Sequence, residues 1–338
     1  MKIAVLMPDN AVRNLFIPPQ AAQELETLGT VRWNDGGYEP QTLKQLLEGA
    51  DICVTGWGCP ILNEDLLGNK PSLRLVAHTG GTVAPIVSDF LYDQGIRVIS
   101  GNEIYAESVA EGTVAYMLTA LRRIPYYNGL VQQGHWKDTT SKTEGLLNRK
   151  VGLVGFGAIA RKLVPMLRAF KVDIMVYDPY IDDETCATYS MARAHSMEEV
   201  FSENDIVSLH LPRTQDTYHV VNSGMLSRLR DGALLVNTAR GSVIDEEALA
   251  GELATGRISG ILDVYETEPL PIDSKLRGLD NVILIPHMAG PTTDRCARVA
   301  SALIEDIRRM EKGHALKHEI SRDYAMKMTN DTLKITSL

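Results

Sequence analysis

Short, nearly uninterrupted apolar runs alternate along this chain with stretches whose apolar residues recur at helical spacing. Ile3–Met7, Asp51–Thr55, Leu73–Ala77 and Ile96–Ile99 are runs of the first kind, and Ala21–Leu28 and Gln41–Leu47 between them are of the second. A strand that is apolar on both sides must be covered on both sides, so the alternation predicts parallel sheets with helices packed above and below. A second series follows: Val151–Val154, Ile174–Tyr177, Ile206–Leu211, Ala233–Val236, Ile261–Val264 and Val282–Ile285, with Gly256, Gly260 and Gly290 punctuating its turns. With about five strands in the first series and about six or seven in the second, the expected class is α/β, as two doubly wound parallel-sheet domains. Between the series lies a long helical pattern, Ser108–Arg123, and then an irregular segment, Pro125–Thr143, carrying Tyr126, Tyr127, His135 and Trp136. Aromatics on such an arm either meet a second subunit or pack back on their own domain.

The bulk properties narrow the class further. A chain of 338 residues is long for one hydrophobic core and suits two. Hydrophobic content of 44% and charged content of 23% are those of an ordinary globular protein. A net charge of -9 argues against nucleic-acid binding, which needs a basic face to displace counterions. No apolar run approaches the roughly 20 residues of a membrane span. Pro8-Asp9-Asn10 ends the first apolar run too early for a signal peptide, so Met1–Met7 is expected to be a buried strand. Cys53, Cys59, Cys186 and Cys296 are scattered without metal or disulfide spacing, which suits reduced thiols and a cytoplasmic location. His314 and His318 stand four apart on an expected helix, but no acid lies between them in an H-E-x-x-H arrangement, and no metal site is expected.

The first chemistry-bearing motif is Val151-Gly152-Leu153-Val154-Gly155-Phe156-Gly157-Ala158-Ile159-Ala160, a strand running into a G-x-G-x-x-A turn. Gly155 permits the tight turn and Gly157 lets the backbone approach a pyrophosphate. Ala160 allows close helix–strand packing. The helix opening at Ala158 and Ile159 points free N–H groups and its positive dipole end at the phosphates. The next strand ends in Asp178, 23 residues after Gly155, where a carboxylate accepts from the adenosine ribose hydroxyls and repels a 2′-phosphate. NAD is therefore the expected cofactor, in preference to NADP.

Further motifs make a family resemblance. Leu235-Val236-Asn237-Thr238-Ala239-Arg240-Gly241-Ser242-Val243-Ile244-Asp245, Asp263-Val264-Tyr265-Glu266-Thr267-Glu268-Pro269, Pro286-His287-Met288-Ala289-Gly290 and the upstream Ser108-Val109-Ala110-Glu111-Gly112-Thr113 resemble the signatures of the D-isomer-specific 2-hydroxyacid dehydrogenases, in that family's order. The resemblance implies a flavodoxin-like substrate domain made of residues 1–102 and 292–338, and a Rossmann NAD-binding domain of residues 103–291. It places the active site in a cleft between them and implies a homodimer joined through the NAD-binding domains. It also implies hydride transfer between NAD(H) and C2 of a small 2-hydroxy or 2-keto acid. Arg240 is then the cation on carboxylate and carbonyl, since guanidinium is permanently charged and binds two oxygens in a planar fork. His287 is the proton donor and acceptor, as imidazole titrates near neutral pH. Glu268 orients the ring and favours its charged form.

Other positions follow from the same match. Asp263 and Gly290 fall on the nicotinamide side of the cofactor. Thr113, Leu211, Pro212, Thr217, Thr238 and Ala239 line its cleft. In His78-Thr79-Gly80-Gly81-Thr82, the N–H groups of Gly80 and Gly81 stand where the family meets the substrate carboxylate, and glycine allows that close approach. The chain departs from the family where G-x-G-V-D is common: Val83 is followed by Ala84-Pro85, and Tyr105 replaces a frequent Asn. Trp57, in Thr55-Gly56-Trp57-Gly58-Cys59, and Tyr105 are expected either to shape an apolar or aromatic-tolerant substrate pocket or to be core packing. Two alternatives share these motifs: an NAD(H)-sensing corepressor-like protein, and a phosphite- or formate-type dehydrogenase. Formate enzymes of this kind carry Gln where Glu268 stands.

Overall fold

A computed structural model describes residues 1–69 and 71–332. Over the described residues the chain forms two compact units, one of Met1–Tyr105 together with residues 291–332 and one of Ala106–Gly290. The sequence expectation put these junctions at 102/103 and 291/292; residues 333–338 of its substrate domain lie outside the described residues.

In the first unit β1 (Lys2–Pro8), β2 (Thr30–Asn34), β3 (Ile52–Thr55), β4 (Leu75–His78) and β5 (Arg97–Ser100) form a parallel sheet of order β2-β1-β3-β4-β5. This is the flavodoxin-like winding, whose order reverses between β1 and β3. β1, β3 and β4 are buried almost throughout, as apolar runs covered on both faces must be. The helix Thr293–Glu311 belongs to this unit: Cys296, Val299, Ala300, Leu303, Ile304, Ile307 and Met310, spaced three and four apart, pack with Val5, Val54, Ala77 and Ile99.

The second unit holds β6 (Lys150–Val154), β7 (Asp173–Tyr177), β8 (Ala192–Arg193), β9 (Ile206–Leu209), β10 (Leu234–Asn237), β11 (Ser259–Leu262) and β12 (Val282–Leu284). Its parallel order is β12-β11-β10-β9-β6-β7-β8, the Rossmann winding with one strand added beyond the sixth. Register places Tyr177, Val154, Leu209, Asn237, Leu262 and Leu284 in one row across the sheet. The residues that follow them, Asp178, Gly155, His210, Thr238, Asp263 and Ile285, therefore leave the sheet along one edge. In an open parallel sheet that carboxyl edge, at the order reversal between β6 and β9, is where ligands bind.

Several local expectations differ. β2 and β8 were not visible as apolar runs because both are edge strands: β2 mixes Thr30, Arg32 and Asn34 with its apolar residues, and β8 has only two residues, both exposed. The long helix starts at Asn102, six residues before Ser108. The stretch expected to be irregular contains a helix, Ile124–Gln132, none of whose residues is buried. His314 and His318 lie beyond the last turn of Thr293–Glu311, not on a helix, and the His318 ring meets the buried Asp306 carboxylate at 3.0 Å.

Candidate active site

The carboxyl edge of the second sheet gathers most of the nominated residues. Gly155 sits at φ 94, and a Cβ there would lie 2.7 Å from the His210 carbonyl oxygen, so only glycine fits the turn. A Cβ on Gly157 would meet nothing within 4 Å, which leaves open space before the helix Ala158–Arg168 that starts with Ala158 and Ile159. Asp178 braces this turn: Phe156 N donates to Oδ2 at 2.7 Å and Tyr180 N to Oδ1 at 2.8 Å. Each carboxylate oxygen keeps a further lone pair for a ribose hydroxyl. Across the turn, the His210 ring meets Ser208 Oγ at 3.0 Å through Nε2, while its buried Nδ1 has no partner among the described residues. Burial pushes this imidazole down to about 4, so it stays neutral. Thr217 Oγ1 donates to Pro212 O at 2.6 Å and closes the loop that carries Leu211 and Pro212. A cradle only glycine can line, a helix start facing open space and an unpartnered ring nitrogen beside it fit a bound dinucleotide.

The other end of the edge carries acid, base and cation. His287 Nδ1 lies 2.7 Å from Glu268 Oε2, and the other carboxylate oxygen accepts from Tyr265 N at 3.1 Å. Glu268 is thus fixed at both oxygens, and the imidazole it holds keeps Nε2 for a reactant. His287 itself is left-handed, φ 51, a conformation that costs a non-glycine residue strain and signals a constrained position. Asp263 imposes the constraint from behind, taking Met288 N at 2.7 Å on Oδ1 and Ala289 N at 3.0 Å on Oδ2, with Tyr116 OH at 3.2 Å. Burial raises the Asp263 carboxyl, and those backbone donors oppose the rise. Asp263 therefore anchors the histidine loop, a role its place in the motif did not reveal.

Arg240 leaves β10 through an Asn turn. Asn237 Oδ1 accepts from Ala239 N at 3.0 Å, its amide donates to Arg240 O at 3.0 Å, and Arg240 Nη1 donates to Ala239 O at 2.7 Å. The next residue presses on the glutamate turn: a Cβ on Gly241 would lie 1.8 Å from the Tyr265 carbonyl carbon. The turns bearing Arg240 and Glu268 therefore touch backbone to backbone. Thr238 Oγ1 lies 3.0 Å from Thr113 Oγ1, which donates to Val109 O at 2.7 Å, so Thr238 is the donor of that pair. A Cβ on Gly290 would meet nothing within 4 Å. Asn237, Gly241, Tyr116 and Tyr265 were not nominated from sequence. Three of them lay inside the quoted motifs, where Asn after a strand and Gly after Arg were the available signals.

The four nominated substrate residues come together within the first unit. Trp57 follows β3, at the order reversal of that sheet, and is 54% exposed. Its ring meets Phe16 at 5.3 Å and Tyr105 at 5.9 Å between centroids, both edge-on. A Cβ on Gly80 would lie 3.0 Å from Trp57 Nε1, and one on Gly81 would lie 3.4 Å from Tyr105 Cγ. The two aromatics thus flank the glycine pair.

Comparison with known proteins supplies the remaining observation. The profile described as "D-isomer specific 2-hydroxyacid dehydrogenase, NAD binding domain" matches residues 114–289. The chain is 33% identical to hydroxypyruvate reductase of Thermotoga maritima, covering 80% of this chain and 87% of that one. It is 34% identical to (S)-sulfolactate dehydrogenase of Chromohalobacter salexigens, over 73% and 81% of the two chains. With D-3-phosphoglycerate dehydrogenase of Methanocaldococcus jannaschii it shares 30% identity over 89% of its length, but spans only 57% of that longer protein. Among solved structures, D-mandelate dehydrogenase of Rhodotorula graminis superposes with a TM-score of 0.80 at 20% identity, covering 95% of this chain and 97% of that one, which speaks to the fold.

Proposed function

We propose, starting from the fact that this chain belongs to the D-isomer specific 2-hydroxyacid dehydrogenase family, that it transfers a hydride between NAD and C2 of a small 2-hydroxy or 2-keto acid. Its second unit is an NAD-binding domain. The observation that carries the proposal is the His287–Glu268 pair at 2.7 Å, on the same sheet edge as the glycine turn.

Bound NAD supplies the hydride donor or acceptor; the rest falls to side chains. In reduction, Arg240 holds the substrate carboxylate and polarises the C2 carbonyl, and His287 gives its Nε2 proton to the oxygen as negative charge develops there. Glu268 accepts from Nδ1, which orients the ring and leaves Nε2 as the nitrogen that exchanges the proton. In oxidation the neutral ring takes the hydroxyl proton at Nε2. Gly80 and Gly81 offer backbone N–H groups to the substrate carboxylate. Thr113, Leu211, Pro212, Thr217, Thr238, Ala239, Asp263 and Gly290 shape the cofactor site. The protein works in the cytoplasm as a homodimer joined through the NAD-binding domains, with the uncovered helix Ile124–Gln132 in the interface. Sedimentation velocity giving a single species of protomer mass would end that part of the reading.

The test is turnover of a panel of 2-keto acids with NADH and NADPH. At least one acid is expected to turn over at about 1 s⁻¹ or faster, the ordinary range for enzymes. No turnover with any acid would refute the function. Asp178→Ala is expected to narrow the NAD preference by at least about tenfold, since it removes both the ribose acceptors and the repulsion of a 2′-phosphate. An unchanged ratio takes Asp178 out of the ribose site.

Trp57 and Tyr105 refine the substrate class. Edge-on aromatics beside the glycine pair offer an apolar wall, which suits an acid with an apolar or aromatic substituent at C3. Trp57→Ala is expected to lower kcat/KM about 10- to 100-fold for bulky apolar keto acids and to change small ones little. An unaltered ranking of acids would make Trp57 mere packing.

A further inference from the structure

The glycine loop of the first unit rests on a buried histidine that no step above uses. His78 ends β4 and pairs in register with Thr55 at the end of β3. Both side chains are buried, and Thr55 Oγ1 lies 2.9 Å from His78 Nδ1. Burial pushes the imidazole down to about 4, opposed by a hydrogen bond to the Thr82 backbone. The neutral ring carries one proton, and its Nδ1 shares a hydrogen bond with the Thr55 hydroxyl. The ring also lies against Gly80, where a Cβ would stand 2.4 Å from Nε2.

The carbonyls of this loop are turned to one side. Gly101 N donates to His78 O and to Gly80 O, both at 3.1 Å, and Ser100 Oγ donates to Gly81 O at 3.2 Å. In a planar trans peptide the N–H points opposite to the carbonyl before it, so the N–H groups of Gly81 and Thr82 face away from residues 100–101. Thr82 Oγ1 ties the far end of the loop to Thr329 O at 2.6 Å.

We propose that His78 is a positioning residue for substrate binding: clamped by Thr55, its ring seats Gly80 so that the loop N–H groups form a preorganised cradle for the substrate carboxylate. The inference rests on the reading that Gly80 and Gly81 meet that carboxylate. A preformed cradle spends no binding energy on ordering the loop, so its loss appears in KM.

The test uses the full chain and the best 2-keto acid of the panel. His78→Ala is expected to raise KM about 10- to 100-fold, with kcat within about threefold and NADH affinity within about twofold. His78→Gln, whose amide can still hydrogen-bond Thr55 Oγ1, recovers most of the loss. Thr55→Val keeps the shape and removes the hydrogen-bond partner of Nδ1; it is expected to raise KM about tenfold even if His78→Ala fails to fold. A purely structural histidine would instead lower Tm and leave KM unchanged, and that result, or an unchanged KM in Thr55→Val, overturns the proposal. The underlying reading is checked separately by labelling glycine amides and adding oxamate, an unreactive keto-acid mimic, with NADH. Shifts at Gly80 and Gly81 with an unchanged KM in the His78 variants refute only the role of His78; no shift refutes the carboxylate site itself.

Discussion

His287→Asn is expected to lower kcat by about 10²- to 10⁴-fold, the usual contribution of a positioned acid–base group, while NADH affinity stays within about threefold. Asparagine is the informative replacement because residue 287 is left-handed at φ 51, and Asn tolerates that region better than alanine does. Met288 N and Ala289 N should then keep their bonds to Asp263, so the loop survives and only the ring is lost. Glu268→Gln probes the other half of the pair. A neutral amide can still accept from Nδ1, but the bond is no longer charge-assisted and orients the ring less firmly, so its loss of kcat should be smaller than that of His287→Asn. Stopped-flow turnover and NADH fluorescence titration check both. If kcat and NADH affinity fell together in His287→Asn, the histidine would be a structural element of the cofactor site, and proton transfer would need another residue.

The distribution of legible and illegible features has a physical basis. Strands buried on both faces, β1, β3, β4 and β9 among them, were legible because full burial forces an unbroken apolar run. The edge strands β2 and β8 bury too little to leave that trace. The turn residues Gly155 and Asp178 were readable because backbone approach and strand-end placement each demand a residue type at fixed spacing. The contact between His287 and Glu268 was legible only through motifs in family order, since nothing in the spacing of the two residues shows that one carboxylate meets one ring. Supporting contacts were the least legible. Asp263 was expected on the nicotinamide side of the cofactor, and nothing in its motif showed that its two oxygens also hold the histidine loop. Tyr265 carries its information in a backbone N–H, which side-chain identity does not encode. The irregular reading of Pro125–Thr143 failed because the helix Ile124–Gln132 has no buried stripe on its own unit, and apolar periodicity reports burial rather than helix.

Two glycine-to-alanine changes ten residues apart should have opposite signs. Gly251 lies inside the helix Glu246–Ala254, and a Cβ there meets nothing within 4 Å, so Gly251→Ala should stabilise the protein by about 0.5–1 kcal/mol through helix propensity alone. At Gly241 the same methyl would stand 1.8 Å from Tyr265 C and 2.4 Å from Glu266 N, both backbone atoms that no rotamer change can move aside. An ordinary contact begins near 3.4 Å, so the Arg240 turn and the Glu266–Glu268 turn must part by about 1.5 Å. Overpacking of buried backbone belongs to the severe class of substitutions, and Gly241→Ala should cost about 3 kcal/mol or more. Separating the guanidinium from the histidine–glutamate pair by that distance should also cost about 10²-fold in kcat/KM, as displacements near 1 Å do. Chemical denaturation of the two variants, with kcat/KM normalised to the folded fraction, separates these effects. Equal stabilities would mean the contact between the two turns relaxes freely. A Gly241→Ala protein that is destabilised yet fully active per folded molecule would mean that the chemistry does not need Arg240 and the His287–Glu268 pair held in fixed relation, and the proposed division of labour among them would fall.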